Sequence, residues 1–576
     1  MVSIYVNGED KTRQISDWKI GYRAGQGELM LTCHFPSGKS YSRPLRDCEI
    51  VPTETVQGQL LAKKGGAVFS AVDKATVYGE KYVVVQYPGN PKTYVHLAAD
   101  VILVPATAIK DAVVFRYFVS VAQARIERAV SQDKKNIAEN VLRQLEKVAP
   151  HLDTALHAYC TGQNQRREWT GNLIYPFGVN ASQLKAVERA FTSQVSLIEG
   201  PPGTGKTQTI LNIIANILLA GKTVAILSNN NPAVENVYEK LDKGGLGHLI
   251  ARLGSTENRE NFFAVLPEAV APTPVLVPKM QHLQDILMRL KQYLHDQNEA
   301  ARLQAEIDEL SVEQRYLLQW QRDNETLAPV PLEQYKLSPR KAADLMAYLS
   351  YMAENRIRLR DRVELLLNFS ILRMKSFGDW EKRKTMIHAL QLHFYEKALL
   401  DKSAKLAVCR KRLERGDFKR LLDKLTADSM TYLKHHLHQR APDGATFDAK
   451  NYSQKFDAFV KRYPIIGSST HSIVNSIAAG AILDYVILDE ASLQDIVPGV
   501  LALGCARNLV IVGDRKQLPH IPAHLGVAPP AEFYDCDRYS LLDSCLGIFG
   551  DAIPVTLLRE HYRCHPRAIA LYLSLP

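Results

Sequence analysis

The run GPPGTGKT at Gly200–Thr207 constrains this chain more than any other feature of its 576 residues. It follows the apolar stretch Val195-Ser196-Leu197-Ile198 and precedes Ile210, Ile213, Ile214 and Ile217 at helical spacing, so strand, glycine loop and helix occur in order. Glycines let successive backbone N–H groups converge on phosphate oxygens, Lys206 can neutralise the terminal phosphates, and the Thr207 hydroxyl can ligate Mg²⁺. Gly200, Pro201, Pro202, Gly203, Thr204, Gly205, Lys206, Thr207 and the following Gln208 are therefore the candidate residues for holding ATP. The loop alone predicts an α/β unit that binds a nucleotide, and no more than that.

A second half-site is legible far downstream. Asp489-Glu490-Ala491-Ser492 follows the strand-like Tyr485-Val486-Ile487-Leu488, where Asp489 can hold Mg²⁺ through water and Glu490 can orient the attacking water. An acidic pair after a strand can also be surface charge; the glycine loop upstream favours catalysis. A third strand, Asn508–Val512, runs into GDRKQLP at Gly513–Pro519, and Gln517 at its end is a candidate sensor of the γ-phosphate.

The chain is too long for one core. Residues 1–107 carry short alternating runs broken by Gly and Pro and predict small antiparallel β-modules. Two stretches look like copies: KSYSRPLRDCEIVP at Lys39–Pro52 and KTYVHLAADVILVP at Lys92–Pro105. Residues 108–171 predict a helical linker, 172–275 and 457–552 the two parts of the nucleotide-binding domain, and 276–456 a helical coiled-coil arm turning near Pro329-Val330-Pro331. The heptad steps Ile286, Tyr293, Ala300, Ile307 and Leu303, Leu310, Leu317 carry the arm. Residues 553–576 begin a further domain. The β-modules and the arm are the candidate surfaces for a protein partner.

Lys and Arg exceed Asp and Glu by 71 to 61, a formal charge of +10 that suits a polyanionic partner without requiring one. The eight cysteines are scattered, with no spacing that would hold zinc or an iron–sulfur cluster. The N-terminus lacks a signal-peptide pattern and no apolar run is long enough to span a bilayer, so a cytoplasmic location with no membrane partner is expected.

Taken in order, Asn180-Ala181-Ser182-Gln183, GPPGTGKT, SNNNPAVENV (Ser228–Val237), Gly467–Thr470, Asp489–Ser492, GDRKQLP and YRCHP (Tyr562–Pro566) resemble the motifs of superfamily 1 helicases. The resemblance is to the group containing the nonsense-mediated-decay RNA helicase and the replication helicase–nucleases, and it covers 172–254 and 457–576. It implies a RecA-like P-loop NTPase that uses ATP and Mg²⁺ and moves 5′ to 3′ on single-stranded DNA or RNA. By the same resemblance Gln183 would recognise adenine, Tyr562 would stack on it, and Arg563 would reach the γ-phosphate as an arginine finger. Ser228, Asn229, Asn230, Ser469 and Thr470 would lie on the single-strand path, although helix caps and turns use the same residue types. The zinc-rich module of the decay helicase and the cysteines of the helicase–nucleases are missing from these residues. The run ends shortly after YRCHP, which predicts a chain that binds ATP–Mg²⁺ and hydrolyses it poorly by itself. Two other classes fit the residues less well: an ATP-binding scaffold, and a coiled-coil ATPase of the chromosome-maintenance kind, which lacks GDRKQLP and has an LSGGQ-like signature that this chain does not.

Overall fold

The computed structural model describes residues 2–23, 27–228, 231–267, 276–323, 338–351, 359–369, 380–440, 446–517, 521–522 and 524–560. Two compact units divide it, Met1–Leu283 with Leu425–Pro576, and Gln284–Lys424.

At the centre of the first unit is a seven-stranded sheet in which every pairing is parallel. Its spatial order is Ile250–Arg252, Ile465–Ser468, Val224–Leu227, Leu483–Leu488, Ala506–Gly513, Val195–Glu199 and Val555–Leu557. The middle strands are apolar and buried along almost their whole length, as expected of a parallel sheet covered on both faces. Parallel pairing needs crossovers, and it brings the carboxyl ends of strands distant in sequence to one edge. Thus Glu199 pairs with Gly513, and Leu488 with both Leu227 and Ile511. This is the RecA-like α/β arrangement that the motif order implies.

Helix Lys206–Leu219 starts at Gly205, in the left-handed region, and buries every residue from Thr209 to Leu218. Two of these are asparagines. Asn212 accepts from Phe177 N and donates to Gly178 O, while Asn216 accepts from Ile174 N and donates to Ile174 O, so both amides are satisfied by the segment ahead of Gln183. Helices Val113–Glu127, Gln132–Lys147 and Ala155–Thr161 fall within the expected linker. They bury Phe118, Leu145 and Tyr159 in the same core as the sheet, so the segment packs as part of the domain.

The N-terminal strands recur at a fixed spacing. Asp17, Leu29, Ser40 and Cys48 each begin a strand, and so do Ser70, Tyr82, Thr93 and Val101, each 53 residues further on. In the first copy Trp18, Ile20, Leu31 and Cys33 alternate inward around Ile4 and Ile50. In the second, Val72, Ala75, Val83 and Val85 fill a separate core with Leu61.

In the second unit, Met280–Asp323 and Trp380–Arg415 run antiparallel: Asp296 pairs with Arg412, Gln304 with Arg410 and Glu306 with Lys402. Leu303, Leu406 and Cys409 close the seam. The arm is not a simple two-helix hairpin. Pro339–Tyr351 and Leu359–Phe369 pack Leu345, Leu349, Leu365 and Phe369 against Met386 and Leu390 of Trp380–Arg415. The expected turn at Pro329–Pro331 lies outside the described residues. Phe447, Tyr452 and Phe456, inside the 276–456 span, belong instead to the main core with Phe262 and Phe459, because an aromatic cluster holds them there.

Candidate ATP site

The glycine loop joins Val195–Glu199 to Lys206–Leu219. Gly203 and Gly205 take φ values of +88° and +86°, which a residue with Cβ adopts only under strain. Gly200 N donates to Gly513 O over 3.2 Å, and the buried Thr204 hydroxyl donates to Pro201 O over 2.8 Å. Lys206 Nζ donates to Gly200 O at 3.0 Å, which curls its side chain back over the loop.

Leu483–Leu488 delivers Asp489 beside this loop. Asp489 N donates to Leu227 O, and its Oδ1 accepts the N–H of Glu490 at 2.9 Å. Burial pushes the Asp489 carboxyl up to about 6; the Glu490 charge adds to the rise, and Lys206 with that N–H partly offsets it. Glu490 is held in the left-handed region at φ +54°, a conformation costly for a non-glycine residue. Its Oε1 lies 3.9 Å from Lys206 Nζ, while its Oε2 is buried without a hydrogen-bond partner among the described residues. An orphaned carboxylate oxygen beside a raised carboxyl is a donor set suited to a hydrated divalent cation. On the loop side, the Thr207 hydroxyl accepts from Asn236 Nδ2 at 3.5 Å.

Gln183, which the resemblance makes the reader of adenine, packs against the glycine loop. It is fully buried: its Oε1 accepts the N–H of Asn180 in a capping box, and its Nε2 faces Gly205 O and Gln208 Oε1, each at 3.3 Å. Gln208 in turn donates to Phe177 O. Both glutamines brace the loop from behind.

Gln517 sits in the turn after Ala506–Gly513, its N–H donating to Asp514 O and its side chain partly exposed. Ser228, following Val224–Leu227, is buried next to the acidic pair's strand. Ser469 is partly exposed, its hydroxyl donating to Ser472 Oγ, whereas Thr470 is fully buried and its hydroxyl donates to Gln494 Oε1. Asn229, Asn230, Tyr562 and Arg563 lie outside the described residues.

Three features escaped sequence reading. Arg515 forms a two-pronged pair with Glu199, at 2.7 and 3.1 Å, tying the GDRKQLP turn to the strand that ends in the glycine loop. Asn236 reaches Thr207 from the helix Asn231–Lys243. Gly513 lets the third strand press on the acidic turn; a Cβ there would lie 3.2 Å from Ser492 N and 2.5 Å from Leu542 Cδ1. Arg515, Asn236 and Gly513 all lie inside motifs visible in the sequence, but their partners were not.

A parallel sheet with a glycine loop, an adjoining acidic pair and a third motif strand at one edge defines a P-loop ATP-binding domain of the RecA-like type. The profile of the family described as AAA domain matches residues 178–521. The chain belongs to this AAA-domain family, among the superfamily 1 helicases. It is 42% identical over 77 residues to DNA polymerase alpha-associated DNA helicase A of Schizosaccharomyces pombe, a stretch covering 13% of this chain and 11% of that protein. It is 41% identical over 69 residues to Regulator of nonsense transcripts 1 of Caenorhabditis elegans, covering 12% and 6%. The Saccharomyces cerevisiae DNA polymerase alpha-associated DNA helicase A matches at 23% identity over 231 residues, 39% of this chain and 31% of that protein. These matches therefore take in less than a third of each relative. Among the described residues no helix is long and apolar enough to cross a membrane.

Proposed function

We propose that the chain binds ATP with Mg²⁺ at the Lys206–Glu490 site and couples its hydrolysis to movement on single-stranded nucleic acid, 5′ to 3′. The single observation that carries this reading is the approach of Lys206 Nζ to Glu490 Oε1, which brings phosphate-binding and water-orienting groups to one point. Thr207 and Asp489 would hold the magnesium ion, whose charge would polarise the terminal phosphate. Glu490, with one oxygen on the lysine side and the other unengaged, would orient the attacking water. The names of the relatives, a DNA helicase and a regulator of nonsense transcripts, support a nucleic-acid substrate and leave DNA and RNA equally open. Ser228 and Ser469, at the carboxyl ends of neighbouring strands, are the proposed strand contacts among the described residues.

The test is ATP hydrolysis and oligonucleotide affinity measured together, with single-stranded DNA, single-stranded RNA and neither, and with Lys206→Ala as the blank. The proposal expects oligonucleotide affinity to differ between the ADP state and a non-hydrolysable ATP state. Nucleotide binding that leaves affinity for both oligonucleotides unchanged would make the chain an ATP-binding scaffold and overturn the motor reading.

A further inference from the structure

The amino ends of the same sheet strands, opposite the ATP site, open onto a cavity of about 640 Å³. Thr223, Pro464, Asp484 and Arg507, at or beside the starts of four central strands, form one side, and Phe69 with Gly65–Ala67 of the N-terminal β-structure faces them. The volume falls within the roughly 300–1,000 Å³ usual for small-molecule sites.

Its walls carry six permanent cations: Lys222, Lys434, Arg440, Lys461, Arg462 and Arg507. Among the described residues none of the six forms an ion pair. The wall also holds two carboxylates, so its cations outnumber its anions six to two, and both carboxylates accept from uncharged neighbours in the wall. Asp457 accepts the Ala67 N–H at 2.7 Å, and Asp484 accepts both the N–H and the hydroxyl of Thr223 at 3.0 Å. Backbone carbonyls orient two of the arginines without neutralising them: Arg440 donates to Leu219 O, and Arg462 to His248 O and Pro267 O. Arg507 lies over the Phe69 ring, 5.6 Å from its centroid. Burial first, then Arg462 and Lys434, hold the wall residue His248 below the usual histidine range, partly offset by a hydrogen bond to the Gly245 backbone.

Such a concentration of positive charge around a concave space is unfavourable unless an anion shares it. Enclosure on several sides suits a compact ligand better than a continuous strand, and planar guanidinium forks suit phosphate. We propose that this cavity is a second binding site, separate from the glycine loop, for a small phosphate-bearing anion of up to nucleotide size.

Calorimetric titration of the Lys206→Ala chain, with inorganic pyrophosphate and separately with AMP, tests this. The proposal expects one saturable site per chain for at least one probe, weakened tenfold or more by adding Lys434→Glu and Lys461→Glu. Both lysines are exposed and donate no hydrogen bond among the described residues, so circular dichroism and the melting curve are expected to stay unchanged. Pyrophosphate binding alone would identify a free polyphosphate as the ligand, and binding of AMP as well would identify a nucleotide. The proposal fails if neither probe saturates or if binding ignores the two charge reversals. It also fails if only a single-stranded oligonucleotide responds to them, which would make the rim a nucleic-acid contact. The Lys206→Ala background keeps these outcomes independent of the ATP site.

Discussion

Glu490 Oε1 stands 3.9 Å from Lys206 Nζ, and the two residues reach each other from the ends of strands separated in the sheet by Ala506–Gly513. The lysine is about one-tenth exposed and the glutamate one-fifth, so their charges meet in a partly dehydrated cleft where electrostatic effects are strong.

Replacing Glu490 by Gln keeps the shape and removes the charge that orients water. Nucleotide affinity is expected to hold within about threefold while hydrolysis falls by ~100-fold or more, the range for loss of a general base. Filter binding and single-turnover hydrolysis measure the two separately; a parallel loss of affinity would assign Glu490 to binding instead.

Asp489 gives a pH-dependent signature. Its folded value of about 6 lies above the ordinary carboxylate value of 3.8, so the ligand-free folded state favours the protonated form. The resulting destabilisation is absent below about pH 4, grows as pH rises from about 4 to about 6, and is complete above that. At 1.36 kcal/mol per unit the full effect is on the order of 3 kcal/mol. Asp489→Asn is therefore expected to melt at a higher temperature than the native chain at pH 7.5 and at the same temperature near pH 4. An equal difference at both pH values would show that the carboxyl is not destabilised by burial.

Gly205→Ala tests the backbone of the loop. The substitution forces a Cβ into a left-handed residue, 2.1 Å from Gln183 Nε2, and is expected to lower stability by at least about 1–2 kcal/mol and to abolish nucleotide binding. Adding Gln183→Ala relieves the clash and not the φ strain, so the pair is expected to recover part of the stability, measured by urea unfolding. Full recovery would show that the left-handed conformation costs nothing.

Arg515→Ala removes the fork on Glu199. Because Arg515 is about half exposed, the loss of stability is expected to stay near or below about 1 kcal/mol. The turn carrying Gln517 would lose its tie to the P-loop strand, so hydrolysis is expected to fall more than stability does. Equal melting and hydrolysis in variant and native chains would remove Arg515 from the site.

What could be read in the sequence follows from how local each signal is. The glycine loop, the acidic pair and the third strand announce themselves because each is a short strand with its own turn chemistry. The pairing of Glu199 with Arg515 and the approach of Asn236 to Thr207 depend on strand order, which no local pattern contains. Asn180 and Gln183 spell a capping box as readily as a base-reading motif, and in the structure Gln183 Oε1 closes that box. The N-terminal repeat was legible only at its second half, Lys39–Pro52 and Lys92–Pro105. Strand starts such as Asp17 and Ser70 share position without sharing residue type. In the arm, the heptad steps were visible as far as Leu317. The packing of Leu345 and Leu365 on Met386 was not, because a short helix supplies too few turns for a repeat.

The most direct test is Mg²⁺-dependent ATP binding compared among the native chain, Lys206→Ala and Asp489→Ala, with folding checked by circular dichroism. If the glycine loop and the acidic pair form one site, native binding strengthens with Mg²⁺, Lys206→Ala weakens it overall, and Asp489→Ala abolishes the Mg²⁺ dependence. An Asp489→Ala chain that still binds ATP with undiminished Mg²⁺ dependence would contradict the shared site, and with it the motor reading.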